Sequence, residues 1–172
     1  MAHLHDHDHP APGCAHAADQ SARATEAASR AEAVCAERGA RLTPIRRAVL
    51  EALTATHRPL GAYEIVEALG AEAGRSKRRL APITVYRALD FLMEQGLVHR
   101  LASRNAFVVC PHAHGASDVV AFLICEACGG VDERCSEGLG TAVRGLLVEE
   151  RFRPRQQVLE ITGLCAHCLP AA

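Results

Sequence analysis

The segment PITVYRALDFLMEQG, residues 82–96, carries the clearest structural pattern in the N-terminal half of the chain. Pro82 suits the first turn of a helix, where its missing N–H would have no partner in any case, and Gly96 supplies a stop. One side is apolar at helical spacing and consists of Leu89, Leu92 and Met93. The other side carries Thr84, Tyr86, Arg87 and Asp90. The pattern therefore predicts an amphipathic helix from Pro82 to about Gln95.

Helical patterns also precede this segment. The predicted helices run from about Ala31 to Gly39, from Pro44 to about Ala55 and over roughly Ala62 to Ala71. Thr43 and Pro44 form an N-cap and first-turn pair, so the second of these helices is expected to begin sharply. A basic loop, residues 74–79, leads on to Pro82.

Two β-like runs follow, Leu97–Leu101 and Ala106–Cys110, joined by residues 102–105, where Ser and Asn favour a turn. Helices followed by a hairpin predict a winged-helix DNA-binding domain over residues 31–104, whose last helix enters the major groove. This span has a net charge of +4, and Lys77 is its only lysine. Arginine suits bidentate contact with phosphate or guanine, although a small positive excess is also usual on a solvated surface.

After residue 110 the pattern changes to strands around one helix. The predicted strands are Val119–Ile124, Gly130–Arg134 and Gln156–Thr162, and the predicted helix runs from Ser136 to about Arg151. The fold class is therefore α+β, with a small α/β domain over residues 105–172 behind the winged helix.

The most specific motif is a pair of C-x-x-C elements, formed by Cys125, Cys128, Cys165 and Cys168. Each such turn can present two thiolates to one tetrahedral ion, and two turns complete a closed structural zinc site. That site would hold together a unit whose own core is small. A pair of redox dithiols is the main alternative, but no thioredoxin-like helix start follows either element.

A looser set of potential ligands lies around the predicted boundary between the two domains. It consists of His99, Cys110, His112, His114, Asp118 and Glu133. A mixture of nitrogen, sulfur and carboxylate suits Zn2+ better than a hard cation. An ordinary surface role remains the alternative for His99.

Residues 1–30 read as a disordered His-rich tail with histidine at positions 3, 5, 7 and 9, which either binds metals loosely or has no role.

The chain shows neither a signal-peptide h-region nor an apolar run of about 18 residues, so a cytoplasmic protein without a membrane span is expected. In a reducing compartment, eight cysteines indicate metal or redox chemistry rather than disulfides. No nucleophile stands with a base and an orienting group, so an enzyme is not expected.

The ordered segments Leu42–Arg46 and Thr84–Leu89, followed by two C-x-x-C elements, resemble the ferric uptake regulator family over roughly residues 33–168. Three segments are most similar to its zinc uptake regulator branch: Tyr86–Leu92, Gly96–His99 and Gly163–Cys168. The resemblance implies a homodimer, with residues 105–172 as its dimerisation and metal-binding domain. This homodimer is expected to bind double-stranded operator DNA with Zn2+ as co-repressor and to repress zinc-uptake genes. The resemblance implies no small organic substrate.

The resemblance also implies particular site residues and two zinc ions per subunit, one structural and one regulatory. DNA contacts are expected from Tyr63, Thr84, Tyr86 and Arg87, with Arg87 reading a base, although the tyrosines could simply pack within the helices. The implied regulatory ligands are His99, Cys110, Asp118 and Glu133. The branch often has histidine where this chain has Asp118, so His112 and His114 are alternates.

Two other functions stay open from the sequence. One is an iron, manganese or peroxide sensor of the same family. The other is a zinc buffer or redox thiol protein that does not bind DNA. The glutamines at positions 156 and 157, which fall where several iron-sensing relatives carry histidine, favour zinc over iron.

Overall fold

The structure is a computed structural model that describes residues 20–72, 80–111, 119–154 and 157–170. In chain order its helices and strands are α1 Gln20–Glu37, α2 Pro44–Thr54, α3 Ala62–Glu72, α4 Pro82–Glu94, β1 Val98–Leu101, β2 Ala106–Val109, β3 Val120–Cys125, β4 Val131–Cys135, α5 Glu137–Glu149 and β5 Leu159–Gly163. The predicted α+β class and the predicted succession of elements are confirmed. The His-rich segment before residue 20 and the basic loop at residues 74–79 lie outside the described residues.

The first helix begins at Gln20, so its predicted start near Ala31 was wrong. Its buried side consists of Ala27, Ala31 and Cys35, which recur every four residues. Alanine has a high helix propensity but little apolar surface, so this side gives a weak hydrophobic pattern in the sequence. The division into tail, winged helix and dimerisation unit stays a prediction.

The helices α2, α3 and α4 share one hydrophobic core. The largest fully buried side chains that these helices contribute to it are Leu50, Ile65, Leu89 and Leu92, together with Val49 and Val85. Pro44 and Pro82 stand in the first turns of α2 and α4 as predicted, but the side chain of Thr43 makes no capping hydrogen bond. Gly96, at φ +68°, ends α4 in a conformation that other residues rarely adopt, and this turns the chain directly into β1.

A three-stranded sheet forms the C-terminal unit, in the order β4-β3-β5. The central strand β3 is antiparallel to β4 and parallel to β5. A parallel pair requires a crossover connection, which α5 occupies. Ser136 caps α5, because its hydroxyl accepts a hydrogen bond from the Leu139 amide at 3.2 Å.

The β1–β2 hairpin, the wing, lies between the helical core and the sheet. Its two strands are antiparallel, with His99 opposite Val108. Val98 and Phe107 enter the core of the helices. Leu101, which faces the other way, packs with Phe122 and Ile124 of β3. Both faces of the wing are therefore in contact with the rest of the molecule.

Candidate metal centres and nucleic-acid interface

Four cysteines converge at one end of the sheet. Each offers a sulfur, and all four sulfurs lie within 4.8 Å of one another. Cys125 ends β3 and pairs in register with Gly163, the last residue of β5. Because these strands are parallel, both C-x-x-C elements lie at the same end of the sheet. Each element forms a turn, closed by hydrogen bonds from Gly129 N to Cys125 O at 3.0 Å and from Cys168 N to Cys165 O at 2.9 Å. The predicted cysteines thus form one compact cluster.

The surroundings of the cluster suit thiolate sulfur. The Cys165 amide donates to Cys125 Sγ, and the Gly130 amide donates to Cys128 Sγ, both at 3.4 Å. Burial opposes ionisation of Cys125, but hydrogen bonds from backbone groups prevail and lower its pKa to about 6. The pKa of Cys168 rises to about 11, chiefly through its hydrogen bond with Cys165. Four sulfurs with amide donors around them form a donor set typical of structural zinc.

A second cluster joins the wing to the sheet. Ligand atoms of His99 on β1, Cys110 just after β2 and Glu133 on β4 lie within 4.8 Å of one another. His99 Nε2 is 3.5 Å from Glu133 Oε2, and Cys110 Sγ is 3.6 Å from Glu133 Oε1. Cys110 and Glu133 are 2% and 7% exposed. One nitrogen, one sulfur and one carboxylate around a common point would supply three of the four ligands of a tetrahedral zinc.

The fourth ligand of this cluster stays a prediction. Asp118 and the alternates His112 and His114 all fall within residues 112–118, outside the described residues. The described ligands nevertheless connect the two units, because His99 belongs to the wing and Glu133 to the sheet.

Arg30 of α1 lies beside the second cluster and was not singled out from the sequence. Its guanidinium donates to the carbonyl oxygens of Cys110 and Gly96, the latter at 3.0 Å, and Nη2 is 3.8 Å from Cys110 Sγ. A signal was present, because Arg30 falls between Ala27 and Ala31 on the buried side of α1. A charged residue on the apolar side of a helix indicates a specific buried partner.

The loop after α2 also touches the first C-x-x-C element. His57 Nε2 and Arg58 Nε donate to the Cys128 carbonyl at 3.0 and 3.2 Å. The Arg58 side chain lies over Gly129, where a Cβ would come within 3.1 Å of Arg58 Cγ and Cδ. The helical unit and the cysteine cluster are thus joined by a second direct contact.

The residues predicted to contact DNA differ in exposure. Tyr63 is 67% exposed on α3, and Arg87 is exposed on α4. Tyr86 is half-buried and packs against the helical core, and Thr84 is also half-buried. The structure therefore leaves Arg87 and Tyr63 accessible to a partner, while Tyr86 has a packing role as well.

Fold and clusters together define a class, that of winged-helix proteins with two sets of zinc-type ligands. The model of the ferric uptake regulator family matches residues 37–162, and the chain belongs to this family. It is 39% identical to the zinc uptake regulation protein of Escherichia coli K12 over 144 residues, which cover 84% of this chain and 82% of that protein. It is 31% identical to the peroxide operon regulator of Bacillus subtilis 168 over 137 residues, 77% and 86% of the two chains.

Solved structures also resemble the chain. A zinc uptake regulator complexed with zinc and DNA superimposes with a TM-score of 0.74 at 39% identity, over 84% of this chain and 94% of the other. Holo XcZur superimposes with a TM-score of 0.71 at 42% identity, over 82% of this chain and 95% of the other. Apo XcZur superimposes with a TM-score of 0.51 at 41% identity, over 86% of this chain and 98% of the other. The two identities are nearly equal, and the chain superimposes more closely on the holo structure than on the apo structure.

Proposed function

We propose that the chain is a zinc-responsive DNA-binding repressor of zinc-uptake genes, with Zn2+ as co-repressor. The observation that carries this function is the cluster of His99, Cys110 and Glu133, which joins the wing to the sheet. The likeness to the Escherichia coli zinc uptake regulation protein supports zinc as the metal and gene regulation as the role. The likeness to a zinc uptake regulator complexed with zinc and DNA supports DNA as the partner.

The cluster offers a direct route from metal to DNA. With zinc bound, His99 on the wing and Glu133 on the sheet are held to one point, so the winged helix keeps a fixed orientation. To shift the winged helix from 1:99 to 99:1 in favour of this orientation, zinc must bind it about 5.5 kcal/mol more strongly than the other orientations. The closer match to holo than to apo XcZur supports a change of arrangement between the two states.

The four-cysteine cluster is assigned a structural zinc, so each subunit carries two ions. Closed thiolate sites bind zinc tightly and contribute directly to folding. The cluster joins the ends of β3 and β5 and would stabilise the sheet whether or not the regulatory site is filled. Sensing therefore belongs to the mixed-ligand cluster.

DNA binding is assigned to α4 and the neighbouring surface. Arg87 is exposed and can reach the O6 and N7 atoms of a guanine in the major groove, with Thr84 and Tyr86 on the same helix. Tyr63 on α3 adds an exposed hydroxyl that can contact the DNA backbone.

A second copy of the chain is the proposed protein partner. Around the sheet unit, large apolar side chains remain exposed at Leu146 and Val148 of α5, Phe152 after it, and Ile161 of β5. The helix α5 has only slight contact with the other described elements. A two-fold dimer would cover this surface and present two winged helices to an inverted-repeat operator.

The remaining assignments follow from this function. The matched relatives are regulators by name, and we propose that the chain likewise has no enzymatic activity. Within the described residues, no helix is long and apolar enough to span a bilayer. The cytoplasm, where the operator lies, is the proposed location.

Operator binding with different metals tests the function. DNA fragments selected from a random library with zinc-loaded protein serve as the operator, and binding is then titrated with buffered Zn2+, Fe2+ and Mn2+. We expect zinc to activate binding at the lowest free concentration. Stronger activation by iron or manganese would contradict the zinc assignment. No DNA binding at any zinc level would instead indicate a zinc buffer or redox thiol protein.

A further inference from the structure

Three side chains form a row across the sheet under the wing. Phe122 of β3 pairs with Glu133 of β4 and with Glu160 of β5. Directly paired residues of neighbouring strands project to the same face of a sheet. The row therefore reads carboxylate, ring, carboxylate, with one carboxylate on each edge strand.

The wing lies along this row and contacts all three members. His99 meets the Phe122 ring edge-on at 5.1 Å and lies 3.5 Å from Glu133. At the other edge, Glu160 accepts hydrogen bonds from the amides of Ala102 and Ser103, at 2.6 and 3.2 Å, and from the Ser103 hydroxyl. One carboxylate thus holds three donors of the turn that connects β1 to β2.

We propose that Glu160 is a positioning residue that anchors the wing turn to the sheet edge opposite the regulatory cluster. This role rests on the proposed function. His99 and the apolar contacts of Leu101 hold the strands of the hairpin to the sheet, whereas the bonds to Ala102 and Ser103 fix its turn. The anchor needs no metal, so it favours the DNA-competent arrangement before zinc binds and lowers the zinc concentration required.

The size of the effect follows from the chemistry of the contact. Hydrogen bonds to an ionised carboxylate are stronger than neutral ones, but these bonds are open to solvent, which weakens them. Losing these bonds should reduce the population of the DNA-competent arrangement in zinc-free protein roughly fivefold. By population shift, the apparent zinc affinity falls by the same factor.

The variant Glu160→Gln tests the anchor. We expect the zinc midpoint of operator binding to rise roughly fivefold, while operator affinity at saturating zinc stays within about twofold. Adding Ser103→Ala to this variant should change little more, because the carboxylate to which the Ser103 hydroxyl donates is already absent. The control Glu51→Gln removes the same charge from an exposed site on α2 and should leave the midpoint unchanged. A preserved zinc content at the four-cysteine cluster shows that each variant folds.

Hydrogen exchange separates the anchor from the function. In zinc-loaded protein, the amides of Ala102 and Ser103 should exchange slowly in the wild type and in Glu51→Gln, and faster in Glu160→Gln. Equal exchange in all three, or an unchanged zinc midpoint in Glu160→Gln, overturns the proposal. If the wild type shows no zinc-dependent operator binding, the proposed function fails, and with it the role of Glu160 in setting the zinc midpoint. The exchange rates of Ala102 and Ser103 then still decide whether Glu160 holds the turn.

Discussion

Arg30 donates to two carbonyl groups from different parts of the chain, that of Gly96 at the end of α4 and that of Cys110 after the wing. Replacing it by methionine keeps the stem of the side chain but leaves both carbonyls without this donor. We expect Arg30→Met to lower the free energy of unfolding by about 2 kcal/mol, measured by urea denaturation of zinc-loaded protein.

Arg38, the residue that follows the same helix, offers a control for that variant. Arg38 makes a single exposed bond, at 3.4 Å, to the Glu94 carbonyl. Arg38→Met should therefore cost less than about 0.5 kcal/mol. Equal losses in the two variants would mean that the contacts of Arg30 near the regulatory cluster carry no special weight.

Individual ligands were visible in the sequence to different degrees. The four cysteines could be grouped from spacing alone, because two C-x-x-C turns are a specific pattern. His99 and Glu133 fell into a loose set of six candidate ligands, and only the family resemblance selected them from it, because their approach depends on how the wing lies on the sheet. Glu160 carried no signal, since a lone glutamate in a strand is ordinary.

Among the elements, the first C-x-x-C turn depends on Gly129. Its φ is +72°, and the Arg58 side chain occupies the space where a Cβ would stand. Gly129→Ala should lower the free energy of unfolding by about 1–2 kcal/mol and displace Arg58 from the Cys128 carbonyl. Gly145 on α5 is the control, because nothing lies near its absent Cβ and alanine there should be neutral or stabilising. Calorimetry of both variants measures the difference, and an equally stable Gly129→Ala protein would contradict this account of the turn.

The helices and the strand pattern could be predicted because their apolar residues repeat at 3.6 or 2 residues. The start of α1 could not, since its buried side is largely alanine. The position of the wing between two apolar surfaces was also missed, because a four-residue strand does not show from its sequence alone that both faces are covered.

For the molecule as a whole, the exposed apolar surface of the sheet unit predicts dimerisation. Ile161 is 51% exposed on β5, and Ile161→Lys would place a charge in the proposed interface. We expect this variant to be monomeric by light scattering and to bind the operator much more weakly, with two zinc ions per chain retained. Ile83→Lys puts the same charge on an isoleucine of α4 that is 57% exposed and should remain dimeric. A dimeric Ile161→Lys protein would place the interface elsewhere.

In the proposed mechanism, zinc held by His99, Cys110 and Glu133 controls DNA binding by fixing the winged helix on the sheet. Zinc content and operator binding, measured on the same samples of wild type and His99→Ala, test it most directly. The wild type should bind the operator with two zinc ions per chain and lose binding when mild chelation leaves one. His99→Ala should retain the single structural zinc and fail to bind at zinc concentrations that saturate the wild type. Operator binding by His99→Ala with unchanged zinc dependence would contradict the account.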